Sequence, residues 1–328
     1  MNGCILVHGG AGQWEDAGRR EKEVIASLRE AVEAGLAAMQ GGSAVDAVAE
    51  AVASMEGSGA FNAGKGAVLN LAGGLELDAG IMDGESLRSG AVAAVRAVPH
   101  PIRLARIVME RTGHILLVSD GAGELARVSG LVGELHPAEA RLREYERGKE
   151  SYLAAPAHRW IKDLGPRFAG PREGDTVGAV AEDGEGRFAA ATSTGGLPFK
   201  LPGRVGDSPL VGHGYYALRG AGAASSSGVG DAIARYGLSL RAVLRMGDGT
   251  PAQDAAASSI GELTSLFGPD TAGIILLDRN GSPGIFFNTG RMAAGYGVSR
   301  SGPEARIVMR EELEGFASLL GNRMRGDR

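Results

Sequence analysis

The chain has 328 residues, of which 54 are glycine and only 13 proline. Glycine is therefore more than twice its usual share, yet Gly and Pro together reach only about 20%, and no every-third-residue glycine appears, so low-complexity and collagen-like chains are excluded. With 44% hydrophobic residues and 34 Lys+Arg against 39 Asp+Glu, the net charge of −5 describes a globular protein with no electrostatic bias toward nucleic acid or an anionic membrane.

Residues 4–8 read as a short buried strand stopped by Gly9 and Gly10. The one cysteine, Cys4, cannot form an intramolecular disulfide, and the first residues lack a basic, long-apolar leader; a cytoplasmic location without a membrane segment is expected. Apolar positions Val24, Leu28, Val32, Leu36 and Met39 predict a helix ended by Gly41-Gly42, and Ser43 predicts the N-cap of a second helix carrying Val45, Val48, Val52 and Met55. A glycine-rich loop (57–66) and short strands near 67–71, 75–82 and 90–98 follow. Pro101 opens a helix bearing Leu104, Ile107 and Val108; a strand at 114–119 and a small helix from about 121 come next.

From 136 to about 175 the chain is rich in Arg, Glu and Pro, and reads as a linker with a helix near 138–162 and then a flexible stretch. Residues 176–194 form a hairpin turning at Asp183-Gly184. Strands at 211–218 and 221–227, helices near 229–237 and 252–267, and a hairpin at Asn280-Gly281 complete the pattern, while 303–320 reads as a solvated amphipathic helix before a frayed basic end. Hairpins grouped with hairpins and helices with helices predict an α+β fold of two antiparallel sheets with helices outside.

Several constellations compete for the chemistry. The six histidines never sit at i, i+4 around a glutamate, and one cysteine builds no thiolate site, so a catalytic metal is not expected. Residues 59–65 match the start of a phosphate-cradling loop, but Gly66 stands where Ser or Thr should hold magnesium, and the loop joins helix to strand rather than strand to helix. No G-x-S-x-G elbow supports Ser-His-Asp chemistry. Thr176 is different: it follows a flexible segment and begins the strongest strand. β-Branched residues commonly start strands. Cleavage before Thr176, however, would free an α-amine of pKa near 7.7–8.0 beside its own hydroxyl, a nucleophile and general base in one residue. Residues 191–196 end the hairpin partner of that strand. In 203–209, Arg204 can hold a carboxylate while Asp207 accepts an ammonium, the complement of an amino-acid head group, or the two form a surface salt bridge. In 225–231 the amides of Gly228 and Gly230 can face an oxyanion.

VHGGAG (7–12), FNAGKGAV (61–68), ELDAGIMDG (76–84), DTVGAVA (175–181), the long segment 191–212, SGVGD (227–231) and FNT (287–289) together resemble the plant-type asparaginases and isoaspartyl aminopeptidases, N-terminal-nucleophile hydrolases related to glycosylasparaginase. The resemblance spans about residues 4–297. It implies a single domain over 1–328 built as a four-layer αββα sandwich, autocleaved between Asp175 and Thr176 into an α-subunit (1–175) and a β-subunit (176–328), with a dimer of such pairs. It also implies that Thr176 is the nucleophile, that Thr194 tunes it, and that Asn62 stands near the reactive centre. Arg204 and Asp207 would grip the substrate head group, Ser227 and Gly228 would form the oxyanion hole, and Gly230 would contact substrate. The loop from Met55 to Lys65 would bind a structural sodium ion through main-chain carbonyls, those of Met55, Glu56, Ser58, Phe61, Ala63 and Lys65, with no cofactor in catalysis. This sequence departs from the family where Ser227 replaces the usual Thr, and where Asp175 replaces the glycine of the plant-type branch with the aspartate of the glycosylasparaginase branch. Residues 303–328 form a C-terminal extension outside the resemblance.

The expected activity is hydrolysis of the side-chain amide of L-asparagine, of β-aspartyl dipeptides, or of both. Alternatives are a glycosylasparaginase-like amidase, a nucleotide-binding protein working through residues 59–66, and an uncleaved amino-acid-binding protein.

Overall fold

In the computed structural model, which describes residues 3–12, 18–154, 175–299 and 303–326, strands that are mostly buried on both faces build two sheets. One contains β1 (Cys4–Gly12), β2 (Leu77–Asp83), β3 (Ser89–Val95), β4 (Leu116–Val118), β5 (Val177–Glu182), β6 (Phe188–Thr194), β11 (Arg291–Val298) and β12 (Glu304–Met309), in the order β12-β11-β1-β5-β6-β2-β3-β4. The other contains β7 (Tyr215–Leu218), β8 (Gly222–Gly228), β9 (Ala272–Asp278) and β10 (Pro283–Phe287), ordered β10-β9-β8-β7. All neighbours are antiparallel except the edge pair β3 and β4.

The two-residue period of the strands distributes apolar side chains between cores. Ile5, Val7, Val177, Ala179, Ala181, Ala189 and Ala191 face a core shared with α1 (Gly18–Gly41), α2 (Ala44–Ser58) and α3 (Pro101–Arg111). Their neighbours Cys4, Leu6, Val180, Phe188 and Ala190 meet Ile275 and Leu277 of the smaller sheet. Ile274 and Leu276 turn instead to a third core with α7 (Leu238–Gly247) and α8 (Ala252–Phe267). Four further helices are described: α4 (Ser119–Val128), α5 (Glu139–Ala154), α6 (Gly230–Tyr236) and α9 (Leu313–Gly326). Among the described residues no helix is long and apolar enough to cross a membrane.

Local signals hold where they are strong. Ser43 caps α2 through a capping box with Asp46, Pro101 opens α3, and Gly59 closes α2 in the left-handed conformation.

Other expectations are corrected. Residues 67–71 pair with no strand; Phe199 N and Leu71 N instead bond the carbonyls of Leu69 and Lys200, tying the segment to a loop. β1 runs on past His8 to Gly12, its register shifting at Gly9-Gly10. The strand expected at 211–218 begins only at Tyr215, because 207–214 is turned, with Gly214 N donating to Asp207 O and Gly212 at φ +87°. α7 was not expected; Gly237, at φ +72°, separates it from α6.

The helix expected at 138–162 is described over Glu139–Ala154; its expected remainder and the flexible stretch placed at 165–174 lie outside the described residues. The C-terminal stretch is not a solvated helix: β12 pairs along β11, and Val308, Leu313, Phe316 and Leu320 are buried in the core between the sheets.

Candidate active site

Antiparallel pairing brings the end of β1 and the end of β6 to the start of β5, with His8 opposite Gly178 and Ser193 opposite Val177. The end of β8 stands across from them, because Ala11 N donates to Ser227 Oγ at 3.1 Å. Thr176 is buried in the small cleft that results. Its nitrogen donates to Ser227 Oγ at 3.2 Å, and its Oγ1 lies 3.4 Å from Ser208 Oγ. The preceding carbonyl, that of Asp175, accepts from Asn62 Nδ2 at 2.9 Å and from Thr194 Oγ1 at 3.1 Å. Two hydrogen-bond donors therefore converge on the oxygen of the Asp175–Thr176 peptide bond, the arrangement that stabilises a developing oxyanion there. Ser227 spends both lone pairs on amides, which leaves its proton as the part able to donate.

Small residues make room for this bond. A Cβ on Gly10, at φ +115°, would lie 2.7 Å from Asp175 Cβ, and one on Gly12 would lie 2.9 Å from Asp175 Oδ1. The glycines of the first motif thus clear space for the aspartate that precedes Thr176.

Arg204 and Asp207 line the same cleft with Gly206, Gly228 and Gly230. Among the described residues Asp207 Oδ2 is buried without a hydrogen-bond partner, and burial pushes this carboxyl up to about 7 despite the Arg204 charge. A buried carboxylate lacking a partner is suited to an ammonium ligand. The alternative, an Arg204–Asp207 surface salt bridge, is not what forms: Arg204 Nη2 bonds Asp231 Oδ2 at 2.5 Å, one residue beyond Gly230. A Cβ on Gly230 would stand 2.6 Å from Asp207 Oδ1 and 3.1 Å from Arg204 Nη2, so that glycine admits both charged groups. The structure thus gathers Asn62, Asp175, Thr176, Thr194, Arg204, Asp207, Ser227, Gly228 and Gly230 around one cleft.

Four neighbours were not anticipated: Ser208, Asp231, and the pair His8 and Ser225, whose Nε2 and Oγ lie 2.8 Å apart. Burial lowers the His8 pKa to about 3, with the Thr176 backbone pulling the other way, so the imidazole is neutral near pH 7 and braces rather than titrates. The usable signals were Ser208 beside Asp207 and Asp231 beside Gly230 in motifs already singled out; the pairing of His8 with Ser225, 217 residues apart, had none.

The loop expected to hold sodium follows the C-terminal end of α2. A Cβ on Gly64 would lie 2.5 Å from Glu56 O, and one on Gly66 would lie 2.6 Å from Gly59 O and collide with Phe61 O. These carbonyls crowd the inside of the turn, at the negative end of the helix dipole. A helix C-terminus lined by carbonyls is unsuited to phosphate, and Lys65 is exposed, which speaks against a nucleotide loop. The carbonyls of Met55 and Ala63 already accept from Ser58 Oγ and Gly66 N.

The chain belongs to the asparaginase family: the family model described as Asparaginase matches residues 1–307. It is similar to plant-type L-asparaginase of Pyrobaculum calidifontis, 46% identical over 295 residues, covering 89% of this chain and 96% of that protein. Plant-type L-asparaginase of Pyrococcus furiosus is 42% identical over 309 residues, 93% of this chain and 99% of its own length. An isoaspartyl peptidase/L-asparaginase of Danio rerio is 43% identical over 298 residues, 88% and 90% of the two chains.

Proposed function

We propose that the protein is an amidohydrolase that cuts itself between Asp175 and Thr176 and then hydrolyses L-asparagine, β-aspartyl dipeptides or both. The observation that carries this reading is the Asp175 carbonyl held by Asn62 Nδ2 and Thr194 Oγ1 next to a threonine that lines the Arg204–Asp207 cleft. The names of the relatives above agree with the substrates in this reading.

In the first stage Thr176 Oγ1 attacks the Asp175 carbonyl carbon, and Asn62 and Thr194 carry the negative oxygen. The C–N bond breaks, the Thr176 nitrogen takes the proton lost by the hydroxyl, and water hydrolyses the resulting ester. The second stage uses the new α-amine as general base. Arg204 and Asp207 hold the substrate α-carboxylate and α-ammonium, Thr176 Oγ1 attacks the side-chain carbonyl, and the Ser227 hydroxyl with the Gly228 amide receives the oxyanion. Ammonia or an amino acid leaves, and water releases aspartate from the β-aspartyl ester. The reading assigns every step to groups of this chain.

The same proposal makes residues 1–175 and 176–328 two subunits that stay together in one helix–sheet–sheet–helix domain, and pairs of them a dimer. A sodium ion in the 55–65 loop would be held by main-chain carbonyls drawn from Met55, Glu56, Ser58, Phe61, Ala63 and Lys65, and would supply rigidity behind Asn62. Mass spectrometry of aged protein should find a new N-terminus at Thr176, and ammonia should be released from L-asparagine or leucine from β-Asp-Leu. Thr176→Ala should lose both cleavage and release; turnover by that variant would refute the mechanism.

A further inference from the structure

Lys200 belongs to a segment named in the sequence reading but left without a role there. Its side chain is 1% exposed, and Nζ donates to the Glu76 carbonyl at 2.9 Å and lies 3.8 Å from Asp78 Oδ2. Asp78 is fully buried on β2; its Oδ1 accepts from Ala94 N at 2.8 Å, and its Oδ2 makes no hydrogen bond among the described residues. Glu76, also buried, accepts from Gly203 N at 2.8 Å and from Arg96 Nη2 at 2.5 Å. A buried ammonium and two buried carboxylates are costly unless matched to one another, so their place beneath one loop calls for a reason.

That loop carries Arg204 and touches both donors to the Asp175 carbonyl. A Cβ on Gly196 would lie 2.8 Å from Lys200 Cδ and 2.9 Å from Nζ, so the Lys200 stem runs directly under Gly196. Gly196 in turn donates from N to Thr194 Oγ1 at 2.9 Å and accepts at O from Asn62 Nδ2 at 2.7 Å. Those two side chains are the donors on the Asp175 carbonyl. At the loop's other end Glu76 fixes Gly203, and Arg204 N donates to Leu201 O at 2.9 Å. Burial pushes the Asp78 carboxyl up and the Lys200 ammonium down, each resisted by the charge of the other.

We infer that Lys200 is a positioning residue whose ammonium, held between the Glu76 carbonyl and the Asp78 carboxylate, sets the 196–204 loop. It thereby aims Thr194 and Asn62 at the scissile carbonyl and Arg204 at the substrate. This rests on the function proposed above. Lys200 touches neither substrate nor nucleophile and acts through Gly196 and Gly203.

The test compares Lys200→Met, which keeps a chain of similar length without the charge, with the double variant Lys200→Met/Asp78→Asn, which leaves no unpaired buried charge. Autocleavage is followed on gels, KM and kcat with L-asparagine and β-Asp-Leu, and the thermal midpoint by calorimetry. Lys200→Met is expected to slow autocleavage at least tenfold and to raise KM at least tenfold with a smaller fall in kcat. The double variant is expected to regain the thermal midpoint and keep both defects, because the bond to the Glu76 carbonyl is still missing. Wild-type KM and cleavage in folded Lys200→Met would overturn the inference, as would their recovery together with the midpoint in the double variant, which would make the pair merely structural. If the single variant does not fold, the double variant decides. A wild-type protein that neither cleaves nor turns over would refute the proposed function itself, which is a separate result.

Discussion

Binding of the substrate ammonium should depend on pH through Asp207. In the open cleft its carboxyl sits at about 7 because burial outweighs the nearby Arg204 charge. Only the carboxylate can accept an ammonium, so ligand affinity rises as pH climbs through that value and is lost as pH falls below it. Roughly nine-tenths of the carboxyl is protonated at pH 6 and roughly one-tenth at pH 8, so the apparent Kd should tighten about tenfold between them, or about 1.4 kcal/mol. Titration calorimetry of L-aspartate against the mature protein measures this directly. Succinate, which keeps both carboxylates and lacks the ammonium, should not tighten over the same range, and Asp207→Asn should flatten the aspartate curve. Because binding alone is followed, the α-amine of Thr176 does not confound the result through catalysis. Aspartate affinity that is level from pH 6 to 8, or that tightens toward acid, would refute the assignment.

Thr194→Val keeps the shape of the side chain and removes one donor from the Asp175 carbonyl; autocleavage seen on gels should slow by about 10²–10³-fold, the usual worth of one oxyanion donor, and cleavage at the wild-type rate would contradict the assignment. Phe316→Ala should cost about 3–5 kcal/mol in denaturant unfolding if α9 is part of the core, whereas a solvated helix predicts almost no change. Gly148 leaves space for the Phe199 ring, which also stacks on Tyr145 and Tyr152. Gly148→Val should therefore push Phe199 out of place and raise KM severalfold, and an unaltered KM would show that α5 does not brace the loop.

Periodicity, caps and turns were legible in the sequence because each is decided within a few residues. Ser43 and Asp46 form a capping box across three positions, and Pro101 meets its requirement alone. The hairpin β5–β6 was legible for the same reason, and with it the placing of Thr194 next to Thr176. The candidate site residues were legible as motifs, and the fold brings them together. What the motifs could not carry was which charge meets which. Arg204 reaches Asp231 rather than the nearer-in-sequence Asp207, and Lys200 lies 3.8 Å from Asp78 Oδ2.

By itself, then, the sequence determined most of the element types, the family and the threonine at the head of β5, since these reside in local pattern and ordered motifs. Only the tertiary structure decided that residues 304–326 close the sheet and its core, because a strand's partner is chosen by the edge left open beside it and a helix's buried face by the surface it meets. It also decided that Asp78, Glu76 and Lys200 lie together under the site. Burial turns charges that would be solvated in an extended chain into groups that must satisfy one another.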